Sequence, residues 1–130
     1  MKHIIIILTF ILTFLFALSC KQEVQAQNEV GNVLSVEQFE QEIQSDEIQL
    51  LDVRTAEEYK EGYIGHATNM DVLKTDEFKE EIQKLDKSKP VYVYCRSGKR
   101  SQKAVEILEE EGFESIKDLD GGYNAWSEKH

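Results

Sequence analysis

Val91-Tyr92-Val93-Tyr94-Cys95-Arg96-Ser97-Gly98-Lys99-Arg100-Ser101 reads as an apolar strand ending at a cysteine, then a short loop with Gly98 and three cations, then an amphipathic helix opened by Ser101. Backbone N–H groups in such a strand-loop-helix turn point inward. The first helical turn adds partial positive charge, so the loop centre is an anion site. Free cysteine titrates near about 8.5, and a helix N-terminus with neighbouring Arg or Lys lowers that to roughly 3.5–7.5. Cys95 is therefore expected as a thiolate, open to solvent at the edge of the sheet, and is the candidate nucleophile. A cysteine at a strand end can also be a small buried hydrophobe. Packing alone, however, has no need of Arg96, Gly98, Lys99 and Arg100 directly after it. The chain holds only three arginines, Arg54, Arg96 and Arg100, and two of them flank Cys95. Arginine presents a planar fork suited to oxyanions, which lysine does not copy.

Outward from this stretch, short apolar runs alternate with amphipathic ones. Ser35-Val36-Glu37-Gln38 has capping-box spacing, and Val36, Phe39 and Ile43 recur at helical intervals. Ile48 to Val53 reads as a strand. Thr55-Ala56-Glu57-Glu58 is a second capping box, opening a short helix that Gly62 closes. Ala67 to Val72 holds a brief strand or turn, and Phe78, Ile82 and Leu85 mark a helix starting near Thr75. Pro90 precedes the strand Val91 to Tyr94. Ala104, Val105, Leu108 and Phe113 give the following helix one apolar face, with Gly112 as its C′ residue. Ser115 to Leu119 is a last strand and Tyr123 to Lys129 a final short helix, with Trp126 in the core. Strands alternating with helices predict an α/β fold, a mostly parallel sheet flanked by helices on both faces.

The first residues are a targeting segment. Met1-Lys2-His3 is a basic start, and Ile4 to Leu18 is apolar apart from Thr9 and Thr13. That run is about fifteen residues, short of the roughly twenty a spanning helix needs. Phe16-Ala17-Leu18-Ser19-Cys20 resembles a bacterial lipoprotein signal in which Cys20 is lipidated, so residues 1–20 are read as the signal and the chain as exported to the cell envelope or periplasm on a lipid anchor. Ordinary cleavage after Ala26, in Val24-Gln25-Ala26, is the alternative, and an uncleaved N-terminal anchor a further one. Residues 21–32 are polar and rich in Gln, Glu and Asn, a flexible tether. Residues 33–130 are one domain. Either cleavage leaves Cys95 as the only free thiol, so no internal disulfide forms. With His66 as the only histidine outside the signal and the C-terminus, no Cys/His metal cluster assembles, and no metal is expected. The net charge of −10 excludes nucleic acid as a partner and leaves the lipid anchor as the only membrane contact.

Ligand sites in open α/β sheets lie beyond the carboxyl ends of the strands. Asp52-Val53-Arg54, the Cys95 loop and Asp120-Gly121-Gly122 all follow strands and would converge on one rim. Arg54 either faces the loop from the side or pairs with Glu57 or Glu58 at the surface. Asp52 is expected behind the site, orienting an arginine or a loop amide. The glycine pair is read first as a plain turn and second as a close backbone approach.

Cys95-Arg96-Ser97-Gly98-Lys99-Arg100-Ser101 resembles the active-site loop of single-domain rhodaneses, which runs Cys-Arg-x-Gly-x-Arg-Ser. Leu51-Asp52-Val53-Arg54-Thr55-Ala56-Glu57-Glu58-Tyr59 resembles the family's Asp-Val-Arg motif, continued by Gly62-Tyr63-Ile64-Gly65-His66-Ala67-Thr68-Asn69. Leu119-Asp120-Gly121-Gly122-Tyr123-Asn124-Ala125-Trp126 matches its C-terminal Gly-Gly-x-x-x-Trp motif. Tyr63 stands where the family often has His, and His66 where it often has Gly. The resemblance implies a rhodanese-like fold and a thiosulfate sulfurtransferase without metal or organic cofactor. Cys95 would take sulfane sulfur from thiosulfate or a related small sulfur-containing anion as a persulfide and pass it to cyanide or a thiol acceptor. Loop amides, with Ser97, Gly98 and Ser101 among the loop residues, would hold the persulfide. Arg100 first, then Arg96 and Lys99, would bind the donor's oxyanion end. A persulfide carrier serving a protein partner is the alternative. Phosphatases and arsenate reductases of a related fold have a loop one residue longer, with arginine where this chain has Ser101, and so fit less well.

Overall fold

In a computed structural model, which describes residues 31–130, five strands form one parallel sheet. The signal segment, Cys20, Ala26 and all of the tether before Gly31 lie outside the described residues. The strands are β1 Asn32–Leu34, β2 Gln49–Asp52, β3 Thr68–Asn69, β4 Val91–Tyr94 and β5 Ile116–Leu119, in spatial order β1-β5-β4-β2-β3. The helices are α1 Val36–Glu42, α2 Ala56–Glu61, α3 Thr75–Ile82, α4 Lys99–Glu110 and α5 Gly122–Lys129. The chain is thus a single α/β domain with the alternation expected from its sequence. β1 is an addition: Asn32, given above to the tether, pairs with Lys117 as the first residue of an edge strand. Three residues are too few to show a period.

Local chemistry explains the element boundaries. Both capping boxes form: Ser35 Oγ accepts from the Gln38 N–H while Gln38 returns a bond to the Ser35 N–H, and Thr55 and Glu58 do the same. β4 has every residue buried because helices cover both sides of the sheet. Side chains alternate along it. Val91, Val93 and Cys95 join Leu51, Val53, Phe78, Ile82, Ala104 and Leu108 in the core under α3 and α4. Tyr92 and Tyr94 join Leu34, Phe39, Leu50, Ile64 and Leu119 in the second core, where Tyr123 and the partly buried Trp126 pack at the edge.

The register brings the three strand ends to one rim. Asp52 lies opposite Tyr94, and Val93 opposite Asp118, so the segments after β2, β4 and β5 leave the sheet side by side. The glycine pair after β5 makes a close approach rather than a plain turn. The Tyr123 N–H bonds the Cys95 carbonyl at 2.8 Å and the Asn124 N–H bonds the Arg96 carbonyl at 3.0 Å, docking the start of α5 onto the loop. A Cβ on Gly122 would lie 2.5 Å from the Cys95 oxygen and 2.8 Å from the Arg96 carbonyl carbon, at a φ of +59°.

Gly122→Ala is therefore expected to cost about 3 kcal/mol in urea unfolding, combining left-handed strain with backbone overpacking. Gly112→Ala, at a φ of +89° with nothing within 4 Å of the added carbon, is expected to cost about 1 kcal/mol from strain alone. Equal losses in the two variants would show that the approach of Gly122 to the loop carries no energy.

Candidate active site

Cys95 follows the last residue of β4, and the backbone turns back over it. The Gly98 N–H donates to Cys95 Sγ at 3.1 Å, and the Cys95 S–H points to Ser101 Oγ at 3.5 Å. Ser101 in turn donates to the Gly98 carbonyl at 3.1 Å. The expectation of a sulfur open to solvent is corrected here, since Cys95 is only 1 % exposed. The cause is the helix start. α4 begins at Lys99 with Gly98 as its N-cap, not at Ser101. Ser101 therefore lies within the first helical turn, fully buried against the sulfur, and two of the three cations belong to the helix rather than the loop. The sulfur sits on the floor of the cradle, at the positive end of a helix of 12 residues.

The cations divide into two pairs. Arg100 is engaged by Glu58, with its two terminal nitrogens on the two carboxylate oxygens at 2.7 and 2.8 Å. The Arg100 hydrogen bond is the main cause that holds the Glu58 carboxyl at about 2, well below the usual carboxylate range. Glu58 in its turn raises Arg100, and the nearby Cys95 adds to that rise. Arg54 does not pair with Glu57 or Glu58, and its guanidinium is not directed at the sulfur. It turns inward, 3 % exposed, onto Asp52. The remaining two, Arg96 and Lys99, are exposed, and their charged ends have no hydrogen-bond or ion-pair partner among the described residues. Ser97 is exposed at the top of the loop.

Asp52 and Arg54 form the floor behind the cradle. Arg54 Nε donates to Asp52 Oδ1 at 2.9 Å, and its terminal nitrogen donates to Asp52 Oδ2 and to the Gly62 carbonyl, both at 2.6 Å. Tyr94 donates its hydroxyl to Asp52 Oδ2 at 2.8 Å and accepts the Ile64 N–H at 2.9 Å. The guanidinium lies 4.1 Å from the Tyr123 ring centroid. Burial lowers the Arg54 pKa, but hydrogen bonding and charge from Asp52 outweigh it, and the net shift is upward. Burial likewise pushes the Tyr94 hydroxyl well up. Asp52 thus orients an arginine, and that arginine braces the fold.

A groove of about 190 Å³ runs beside the loop, lined by Arg54, Glu58, Glu61, Arg96, Tyr123 and Asn124. A second depression of about 170 Å³, lined mainly by acidic side chains such as Glu57, Asp71 and Glu77, does not include the sulfur. Among the described residues, no group of three His, Cys, Asp or Glu side chains is gathered in metal-binding geometry.

Two residues at the site were not singled out by sequence. Glu58 is read from sequence as a cap and as a possible surface partner of Arg54, and its pairing with Arg100 is not foreseen, although it lies within the Asp-Val-Arg stretch. Asp118 was passed over as part of a strand, yet a carboxylate between Ile116 and Leu119 in an otherwise covered sheet was a visible signal. It is 5 % exposed, and burial raises its carboxyl to about 6.

Residues 35–129 match the model of the Rhodanese-like domain. The thiosulfate sulfurtransferase GlpE of Coxiella burnetii is 38 % identical over 84 residues, 65 % of this chain and 76 % of that protein. The protein of the same name from Shewanella oneidensis is 35 % identical over 95 residues, 73 % of this chain and 91 % of its own. A crystal structure of a rhodanese-related protein from Thermoplasma volcanium superposes with a TM-score of 0.66 at 30 % identity, covering 75 % of this chain and 92 % of that one. The parallel sheet, the cysteine-floored loop at the head of α4 and these matches place the chain in one family: it belongs to the rhodanese-like domain proteins.

Proposed function

We propose that the chain is a sulfurtransferase that moves sulfane sulfur through a Cys95 persulfide. The observation that carries the reading is the cradle: a thiol under the Gly98 N–H at the head of α4, with Arg96 and Lys99, unpaired among the described residues, just outside. The names of the two relatives support thiosulfate as donor. In the first step the Cys95 thiolate attacks the outer sulfur of thiosulfate. The sulfur–sulfur bond of the donor breaks, and its electron pair leaves on sulfite. In the second, cyanide or a thiolate attacks the outer sulfur of the persulfide, and Cys95 recovers its pair as thiolate. Loop amides stabilise the anion at both stages, and the chemistry is covalent catalysis in two halves.

Donor binding falls to Arg96 and Lys99. Arg100, ranked first from sequence, has both of its terminal nitrogens on Glu58. It contributes its charge near the sulfur and fixes the helix start to α2. Export on a Cys20 lipid anchor is a separate part of the same proposal, supported by the sequence of residues 1–20.

Intact mass after thiosulfate is expected to rise by one sulfur atom in the native chain and not in Cys95→Ser. A gain in that variant, or none in the native chain, would overturn the assignment. A persulfide that forms but is not removed by cyanide would make the chain a carrier for another acceptor. Arg96→Ala is expected to raise KM for thiosulfate roughly tenfold with kcat little changed, the loss of one charge-assisted contact. An unchanged KM removes Arg96 from donor binding.

Glu58 gives a prediction in acid. Its folded value of about 2 lies below the ordinary 4.5, so its contribution to stability is complete above that ordinary value and is lost as pH falls from there toward the folded one. Urea unfolding at pH 6 and pH 3 is expected to show a smaller acid loss in Glu58→Gln than in the native chain. Equal losses in both would show that the pair with Arg100 does not act on stability.

A further inference from the structure

Behind the sulfur lies a carboxyl that the proposed chemistry leaves unused. Asp118 sits on β5 next to β4, with Val93 as its register partner. The alternation of the strand turns its side chain toward α4, on the same face as Cys95. It is 5 % exposed, and its Oδ1 has no hydrogen-bond partner. Ser101 is the side chain that pulls this carboxyl down against the effect of burial, while its own hydroxyl proton is given to the Gly98 carbonyl. Ser101 is fully buried and also touches the sulfur, at 3.5 Å, and the Gly98 carbonyl, at 3.1 Å. A serine hydroxyl has one proton to give. Three acceptors therefore compete for it: Cys95 Sγ, the Gly98 oxygen and Asp118.

We propose that Asp118 is a positioning residue for Cys95, acting through Ser101. As a neutral acid it donates to Ser101 Oγ and leaves the hydroxyl proton free to point at the sulfur anion. As a carboxylate it takes that proton for itself and turns the hydroxyl away. The inference rests on the sulfur-nucleophile reading above and adds a residue to it. Burial first, and the charge of Asp120 after it, raise the Asp118 carboxyl to about 6, against the pull of Ser101 and the Leu119 N–H, so the switch falls near neutral pH. The other titratable groups on this side are Glu106 and Glu109 of α4, which share a surface depression with Asp118, and Cys95 itself. Both glutamates are acidic and add no cation beside Asp118. A hydroxyl pointed at a sulfur anion stabilises it by a charge-assisted hydrogen bond, and the loss of that bond with a carboxylate brought near disfavours it.

The test is the rate of Cys95 alkylation by iodoacetamide from pH 5 to pH 8 in the full chain, resolved from Cys20 by peptide mass. Asparagine at 118 keeps the shape and never ionises. Asp118→Asn is expected to match the native rate below pH 5.5 and to exceed it roughly tenfold at pH 7.5, the size of effect a nearby charge exerts on a titrating group. Superimposable pH–rate curves would overturn the proposal. In a Ser101→Ala background the gain from Asp118→Asn should shrink to less than twofold, and an undiminished gain would show that Asp118 acts through space and not through Ser101. Urea unfolding of each variant identifies any loss of fold, and Asp118→Glu, which restores the acid, is expected to bring back the native pH dependence. No sulfur donor enters the assay. A chain that shows the expected curves but gains no sulfur from thiosulfate defeats the transferase reading and leaves this one standing.

Discussion

Arg54 meets Asp52 where both side chains are almost dry, and four elements of the chain meet at that contact. The carboxylate lies at the end of β2, its second oxygen takes the Tyr94 hydroxyl from β4, and the guanidinium carries the Gly62 carbonyl that closes α2. The same guanidinium faces the Tyr123 ring of α5 at 4.1 Å. Two strands and two helices are thus tied at the end of the sheet where the loop emerges. A buried ion left without its partner costs about 3–5 kcal/mol, whereas an intact buried pair roughly repays its own desolvation. The pair therefore acts as a geometric constraint more than as a store of stability. It sets the height of α5, and α5 presses Gly122 onto the Cys95 carbonyl.

That constraint has an electrostatic counterpart. The chain carries a net charge of −10, yet its strand-end rim is cationic at the centre. Screening limits exposed charges to about 8 Å at physiological salt, so the acidic surface acts weakly on an anion already at the loop. What it meets there depends on pairing. Arg54 and Arg100 are neutralised by Asp52 and Glu58, and they organise the walls. Arg96 and Lys99 keep uncompensated charge at the mouth. A count of cations in the sequence does not separate these roles, because the separating partners are in other elements.

Most of the fold was legible in the sequence because its signals are local. Ser35 and Thr55 announce helices through capping boxes, and the apolar faces around Phe78 and Leu108 have helical spacing. The uninterrupted run Val91 to Tyr94 marks a strand with both faces covered. β1 was not legible: Asn32–Leu34 is held by pairing with β5 across most of the chain, and nothing within three residues encodes that. The site divides the same way. Cys95, the loop and the glycine pair could be read from adjacent residues. The inward turn of Arg54, the capture of Arg100 by Glu58 and the burial of the sulfur could not. Each is settled by residues far apart in sequence, and the last by a helix that starts two positions earlier than Ser101 suggested.

The burial of the sulfur bears directly on the proposed chemistry. A thiolate on an exposed loop would be hydrated and open to oxidation, and its persulfide more so. With Cys95 on the floor of the cradle, the hydration shell is replaced by the Gly98 N–H and the N–H groups at the head of α4, with Ser101 Oγ packed against the sulfur at 3.5 Å. Those donors are fixed before the donor molecule arrives and need no reorganisation when charge moves. The geometry also sorts the two ends of a donor such as thiosulfate. The floor offers sulfur the Gly98 N–H, while the side chains suited to an oxyanion, Arg96 and Lys99, stand outside. A donor that presents its outer sulfur inward and leaves its oxygens at the mouth satisfies both.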